Sequence, residues 1–236
     1  MILRAAAGAA ATPTNGPETG QGAPMRLVLA SNNAKKLAEL RDLLQGLRLV
    51  VVAQGELGID EADEPHHTFV ENALVKARQA ARASGGAAVS DDSGLCVGAL
   101  GGAPGVVSAE FAGAVALLDG EGREARRRRQ DAANNAALLQ ALAAHDDRRA
   151  HFISTLVALR HADDPEPLVA VGRWPGEILR EPRGSQGFGY DPLMFIPALG
   201  STVAELSSDV KNLHSHRALA TAALRTMLVQ AWHLDA

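Results

Sequence analysis

Cysteine is nearly missing from this sequence: Cys96 stands alone among 236 residues. One thiol cannot close an internal disulfide, so a reducing compartment is expected and a zinc site built on thiolates is excluded. Aromatic residues are scarce, at 3%, which argues against a stacking platform for single-stranded nucleic acid. Basic residues are not in excess either: 23 Lys and Arg face 27 Asp and Glu, for a net charge of -4. General nucleic-acid binding draws on counterion release from a basic footprint, so nucleic acid is not an expected partner. No apolar run approaches the ~20 residues that span a bilayer, so no membrane association is expected. The opening residues carry one Arg and then small side chains, without the Leu- and Val-rich core of a secretory signal. The chain reads as cytoplasmic.

What is present suits a globular domain: 47% hydrophobic and 21% charged residues. Residues 1–24 are almost all Ala, Gly, Thr and Pro, too poor in large apolar side chains to offset the entropy of ordering, and are expected to form a disordered tail. One domain is expected over residues 25–236. Residues 26–30 read as a strand, and Leu37, Leu40, Leu44 and Leu47 then recur at helical spacing. Leu49–Ala53 reads as a second strand. Thr68-Phe69-Val70-Glu71 is a capping box opening a helix to about Ser84, ended by Gly85-Gly86. Two short strands are expected over Ala87–Ser90 and Leu95–Leu100, and a helix over Glu124–His145. Strands follow over His151–Arg160, Leu168–Trp174 and Gly176–Glu181. A last helix from about Ser215 carries Leu219, Ala222, Ala223, Met227 and Leu228 on its apolar face. Strands alternating with helices, then strands in succession, indicate an α/β fold with a mixed sheet.

Neither G-x-G-x-x-G after the first strand nor a P-loop is present, so any nucleotide must be held another way. The turn Ser31-Asn32-Asn33-Ala34-Lys35-Lys36 joins a strand to a helix. Its unpaired N–H groups, with Ser31, Asn33 and Lys36, make a phosphate cradle, although an ordinary helix cap has the same composition. Ser90-Asp91-Asp92-Ser93-Gly94 places two carboxylates side by side after an apolar run. A hard cation such as Mg²⁺ between Asp91 and Asp92 would relieve their repulsion, and one carboxylate could then orient or deprotonate a water. An acidic turn closed by Asp and Ser is the alternative. The acids Asp60, Glu61, Asp63 and Glu64 form either a solvated loop or the rest of that metal site. Gly101-Gly102-Ala103-Pro104-Gly105 says only that the chain turns. Gly187-Phe188-Gly189-Tyr190-Asp191 sets two of the few aromatics in a glycine-flanked loop, where rings can stack on a planar ligand or pack on the core. Lys211, with Ser215-His216-Arg217 at the head of the last helix, offers donors for carbonyl oxygens or simply helix-cap chemistry. The run Arg126–Arg129 lies among acids and reads as a solvated face.

Taken in order, six segments closely resemble the inosine/xanthosine triphosphate pyrophosphatase family. They are LVLASNNAKKLAEL, HTFVENALVKARQAA, AVSDDSGLCVGALGGAPGVVSA, RWPGEILREPRG, GFGYDPLMFIP and KNLHSHRAL, and the resemblance covers residues 25–230. It implies Mg²⁺-dependent hydrolysis of non-standard purine nucleoside triphosphates (dITP, ITP, XTP) to monophosphate and pyrophosphate. It also implies an elongated mixed sheet in two lobes around a central cleft, in a homodimer. By resemblance, Ser31, Asn33, Lys36 and Lys76 bind phosphates and Ser93 contacts substrate. Phe188, Gly189, Tyr190 and Asp191 form the base loop, joined by Lys211, His216 and Arg217. Asp92 takes the place of the base and metal ligand, with Asp91 beside it and either Asp63 or Glu64 as the further metal acid. Four departures stand out: Asn32 and Lys35 where glycines are common, Glu110 where relatives typically have Arg, Pro65-His66-His67 before the capping box, and a longer, more Arg-rich segment over residues 114–130. A pyrophosphatase for other modified nucleotides and a nucleotide-binding protein without turnover are the two alternatives.

Overall fold

The computed structural model describes residues 23–234. The expected tail, except for its last two residues, lies outside them. Among the described residues, seven strands and five α-helices follow one another: β1 Met25–Leu29, α1 Ala34–Leu43, β2 Leu49–Ala53, α2 Phe69–Ser84, β3 Ala87–Val97, α3 Arg123–Ala141, β4 Arg149–Leu159, β5 Leu168–Ile178, β6 Met194–Ile196, β7 Ser201–Thr202, α4 Ser208–His214 and α5 His216–Trp232. The strands form one open sheet in the order β2-β1-β3-β4-β5-β6-β7. β1 is parallel to both β2 and β3, and every later pairing is antiparallel. The mixed sheet is therefore as the sequence predicts.

Local signals explain the element ends. Asn33 caps α1 by accepting from the N–H groups of Lys35 and Lys36. Thr68 caps α2 by accepting from Glu71 N–H, and its hydroxyl donates to the Glu71 carboxylate. Gly85 closes that helix with φ +66°, a left-handed conformation that glycine adopts without strain.

Alternate strand residues bury opposite faces. On one face Leu27, Leu29, Val89, Leu156 and Ala170 pack under α1 and α5 through Leu40, Leu44, Leu224 and Leu228. On the other, Val28, Ala88, Val157 and Leu159 meet Ala73, Ala77, Ala80 and Ala81 of α2. Farther along the first face a second core joins Leu95, Val97, Phe152 and Trp174 to Leu138 of α3, to Leu142 just past its end, and to Tyr190 and Met194. Between these two cores the same face turns polar. Ser93, Ser154 and Gly172 lie side by side across β3, β4 and β5. This row separates the two cores, and α5 lies directly on its Gly172 end.

Three expectations are corrected. The two strands flanking residues 91–94 are one, β3, because β4 pairs with it without interruption from Ala88 to Val97; Asp91 and Asp92 lie in a strand and not in a turn. The strands expected on either side of Pro175 are likewise one, β5, which stays in register with β4 through Pro175. On α5, Leu219 and Ala222 are exposed, and the buried stripe is Arg217, Ala220, Thr221, Leu224 and Leu228. The helix packs against β5 through its small residues: a Cβ at Gly172 would run into the His216 carbonyl oxygen and the Ala220 amide nitrogen.

Candidate active site

The first helical crossover (α1, between β1 and β2) lies on one face of the sheet and the second (α2, between β2 and β3) on the other. The crevice between β1 and β3, beyond the end of β1, is thus a topological switch point, where open α/β sheets bind ligands. β1 stops at Leu29 while β3 runs on to Val97. Past that end the Asp91 carbonyl has no strand partner on the β1 side. It accepts instead from Lys36 Nζ at 3.4 Å and Lys76 Nζ at 3.3 Å. The strand end gathers one lysine from each flanking helix.

Asp91 and Asp92 do not share a cation, because neighbours in a strand point to opposite faces. Asp91 turns toward α1 and α5. Its Oδ2 accepts from Arg217 Nε at 2.8 Å and pairs with Lys36 Nζ at 3.2 Å, while Oδ1 accepts from Ser154 Oγ at 2.8 Å. Burial pushes this carboxyl up, but Lys36 and Arg217 outweigh it and hold it well below the usual carboxylate range. Both oxygens thus accept from protein donors, whereas Asp92 leaves one of its own without a partner. Arg217 is itself fixed on Glu39 at 2.7 Å and reaches Ser93 Oγ at 3.4 Å.

Asp92 turns toward α2. Its Oδ1 accepts from Lys76 Nζ at 2.8 Å, and that ammonium also pairs with Glu64 Oε1 at 3.1 Å. Its Oδ2 is buried and has no partner. Burial, aided by the Glu64 charge and opposed by Lys76, pushes the Asp92 carboxyl up to about 6. Glu64 therefore completes this cluster, and Asp63 does not: Asp63 is exposed and makes no hydrogen bond or ion pair among the described residues. Asn72, buried on α2, sets that register by bonding both backbone groups of His66.

At the mouth of α1, Ser31 Oγ accepts from Asn33 N–H at 3.2 Å, and Asn33 Oδ1 is occupied by the Lys35 and Lys36 amides. The Ser31 hydroxyl proton and the Asn33 amide protons remain to give. Across the cleft, Asp191 is buried. Its Oδ2 accepts from Lys211 Nζ at 2.6 Å and from Phe188 N–H at 3.0 Å. A Cβ at Gly187 would fill the space this carboxylate occupies, and φ there is +81°. Three cations surround the Phe188 ring, with Lys35, Arg127 and Lys211 at 5.4, 5.0 and 4.8 Å from its centroid. Arg127 is thus not part of a merely solvated face; Arg129, two residues on, grips both Glu121 oxygens.

Tyr190 departs from the expected base loop. It is 5% exposed, packs in the second core, and its hydroxyl donates to the Ser108 carbonyl. His216 is buried and stacked on Phe152, with ring centroids 5.1 Å apart, and its Nδ1 is unpartnered. Burial, reinforced by Arg217, lowers its pKa well below the usual value, so the ring is neutral. Glu110 is exposed at the end of the turn Gly105–Glu110. Sequence reasoning missed Ser154, Glu39, Asp131 and Asn135. Only Ser154 leaves a trace, as a polar residue, with Thr155, between the apolar runs of its strand.

A switch-point crevice lined by lysines from two helices, with one half-free buried carboxylate, defines an α/β protein built to take a polyanion. The Ham1 family profile matches residues 27–227, and the chain belongs to that family. It is 64% identical over 208 residues to a dITP/XTP pyrophosphatase of Methylibium petroleiphilum, covering 88% of this chain and 99% of that protein. The structure of a HAM1 protein from Coxiella burnetii superposes with a TM-score of 0.79 at 42% identity, covering 88% of this chain and 100% of that one. The Staphylococcus aureus Ham1 protein gives 0.74 at 35% identity, covering 86% and 97%. No helix among the described residues is long and apolar enough to cross a membrane.

Proposed function

We propose that this chain hydrolyses non-standard purine nucleoside triphosphates, namely dITP, ITP and XTP, to the monophosphate and pyrophosphate. The observation that carries the reading is the Asp92 carboxylate at the switch point: one oxygen on Lys76, the other buried and unpartnered. The curated relatives named dITP/XTP pyrophosphatase support the substrate class. Asp92 Oδ2 and Glu64 suit Mg²⁺, which takes a few carboxylates and keeps waters; when bound, the ion supplies neutralisation of charge on the phosphate oxygens. Asp92 and Glu64 are its proposed ligands.

The chain's own residues do the rest. The amides at the head of α1, the Ser31 hydroxyl and the Asn33 amide bind and orient phosphate oxygens, and Lys36 and Lys76 balance their charge. Asp92 orients the attacking water and accepts its proton as the α–β anhydride bond breaks and pyrophosphate leaves. Phe188 offers its ring to the purine. Neutral His216 and the remaining N–H groups of Arg217 donate to a 6-oxo group, with Ser93, Gly189, Asp191 and Lys211 framing the pocket. Adenine presents an amino group there, so buried donors would be left unpaired, a mismatch worth orders of magnitude. We read the enzyme as one domain over residues 25–236, cytoplasmic and homodimeric, on the family resemblance.

The test is pyrophosphate release from inosine, xanthosine, adenosine and guanosine triphosphates, with Mg²⁺ and with chelator. Mg²⁺-dependent turnover of the first two, far above the others, is expected. Turnover of none, or equal turnover of all four, overturns the reading.

A further inference from the structure

One side of α3 is turned onto the loop 187–191, and the chemistry above makes no use of it. Arg127, Asp131 and Asn135 stand four residues apart, so they line up along the helix. Asp131 Oδ2 accepts from Gly189 N–H at 2.9 Å, and Asn135 Nδ2 donates to the Gly189 carbonyl at 2.9 Å. Both backbone polar groups of one residue are thus held by one helix. The Arg127 guanidinium lies 5.0 Å from the centroid of the adjacent Phe188 ring. Gly187 and Gly189 both have positive φ, so the loop turns on residues whose backbone moves between conformations at little steric cost. The Asp191 carboxylate ties it from within through Phe188 N–H, and α3 ties it from outside.

We propose that Arg127, Asp131 and Asn135 are positioning residues that set the place of Phe188 and so the enzyme's discrimination among purine bases. This rests on the function proposed above. The phosphate-binding groups belong to α1 and α2 and touch none of the three. Loss of the stripe is therefore felt at the base and not at the phosphates.

The experiment is steady-state kinetics with inosine and adenosine triphosphates, together with inhibition by inorganic triphosphate, which has no base. Asp131→Ala and Asn135→Ala should raise KM for inosine triphosphate about three- to tenfold, the span of one hydrogen bond. The inosine-to-adenosine ratio of kcat/KM should fall by a similar factor, with kcat and the inorganic triphosphate inhibition constant little changed. Arg127→Ala, at an exposed side chain, should show the same pattern more weakly. Asp131→Asn, which keeps an acceptor, should restore most of the ratio. Unchanged KM and ratio in Asn135→Ala and Arg127→Ala overturn the proposal. So does an equal loss of inorganic triphosphate binding, which would mean a general loss of structure. If Asp131→Ala does not fold, Asn135→Ala and Arg127→Ala still decide. Absence of turnover in the unmodified enzyme is a separate result: it overturns the function itself before any variant is compared.

Discussion

Lys76 Nζ lies 2.8 Å from Asp92 Oδ1, while Asp92 Oδ2, on the same carboxylate, is buried without a partner. One half of the group is anchored on α2, and the other is left for something outside the chain. Asp91, its neighbour, has neither oxygen left over. The two adjacent acids therefore have different tasks, and exchange of either should be read by different measurements.

Asp92→Asn should lower turnover by about 10³-fold or more, since it removes the proposed proton acceptor and a charged ligand of the proposed metal. Its circular dichroism spectrum should match the parent's. Asp91→Ala should act on stability, because it strands the buried charges of Arg217 and Lys36. Breaking such a pair costs about 3–5 kcal/mol, readable in chemical denaturation. Near-parental turnover in Asp92→Asn, or near-parental stability in Asp91→Ala, contradicts this division.

The raised Asp92 carboxyl makes the stability of the metal-free protein depend on pH. Its pKa is pushed up to about 6 in the folded state, against about 4 when unfolded. Between these values the native state binds more protons than the unfolded state, so this group's contribution falls as pH rises. Asp91, held low, contributes with the opposite sign, and only at more acid pH. In chelator, the parent should lose stability relative to Asp92→Asn between pH 4 and 6, at no more than about 1.4 kcal/mol per pH unit. Identical pH slopes for the two proteins would show that Asp92 ionises normally.

Gly172→Ala should disturb the site from below. The added methyl meets backbone of α5 at His216 and Ala220, which cannot swing aside as a side chain can. Overpacking of this kind costs about 1–3 kcal/mol, and α5 carries His216 and Arg217 with it. A fall in melting temperature together with a raised KM for inosine triphosphate is expected. Parental values for both would mean that α5 moves freely over β5.

Thr221→Val should be neutral or stabilising. Thr221 lies on the buried stripe of α5 and its hydroxyl has no partner. An isosteric apolar side chain removes the desolvation cost of that hydroxyl, about 1 kcal/mol or more. Thermal unfolding checks it, and a clear loss of stability would reveal a bond to the hydroxyl.

Local signals in the sequence were legible where the cause is local. The Thr68 helix cap, the Gly85 stop and the strand Leu49–Ala53 come out at the expected residues, although Glu71 bonds the Thr68 hydroxyl and not its backbone N–H as a full capping box would, because caps and apolar periodicity act within a turn or two. The reading failed where a partner far along the chain decides. Residues 91–94 look like an acidic turn until β4 pairs across them and Ser154, Lys36, Lys76 and Arg217 meet the two carboxylates. Tyr190 looks like a ligand-stacking ring in a glycine loop, yet its ring fills the second core and its hydroxyl finds Ser108. Leu219 belongs by type on the apolar face of α5, but it is exposed: the backbone of His216 and Ala220 lies directly on Gly172, with only the Leu219 Cβ beside it.

By itself the sequence determined the alternation of strands and helices, the mixed character of the sheet, and the residue types that meet a polyanion. These follow from periodicity, capping and charge, which the chain carries locally. Only the tertiary structure decided that Asp91 anchors Arg217 while Asp92 keeps a free oxygen, that Glu64 and not Asp63 joins it, and that α3 holds Gly189. The physical reason is the same in each case. Strand pleat sends neighbours to opposite faces, and burial makes a polar group's role depend on which distant donors the fold sets within hydrogen-bond reach of it.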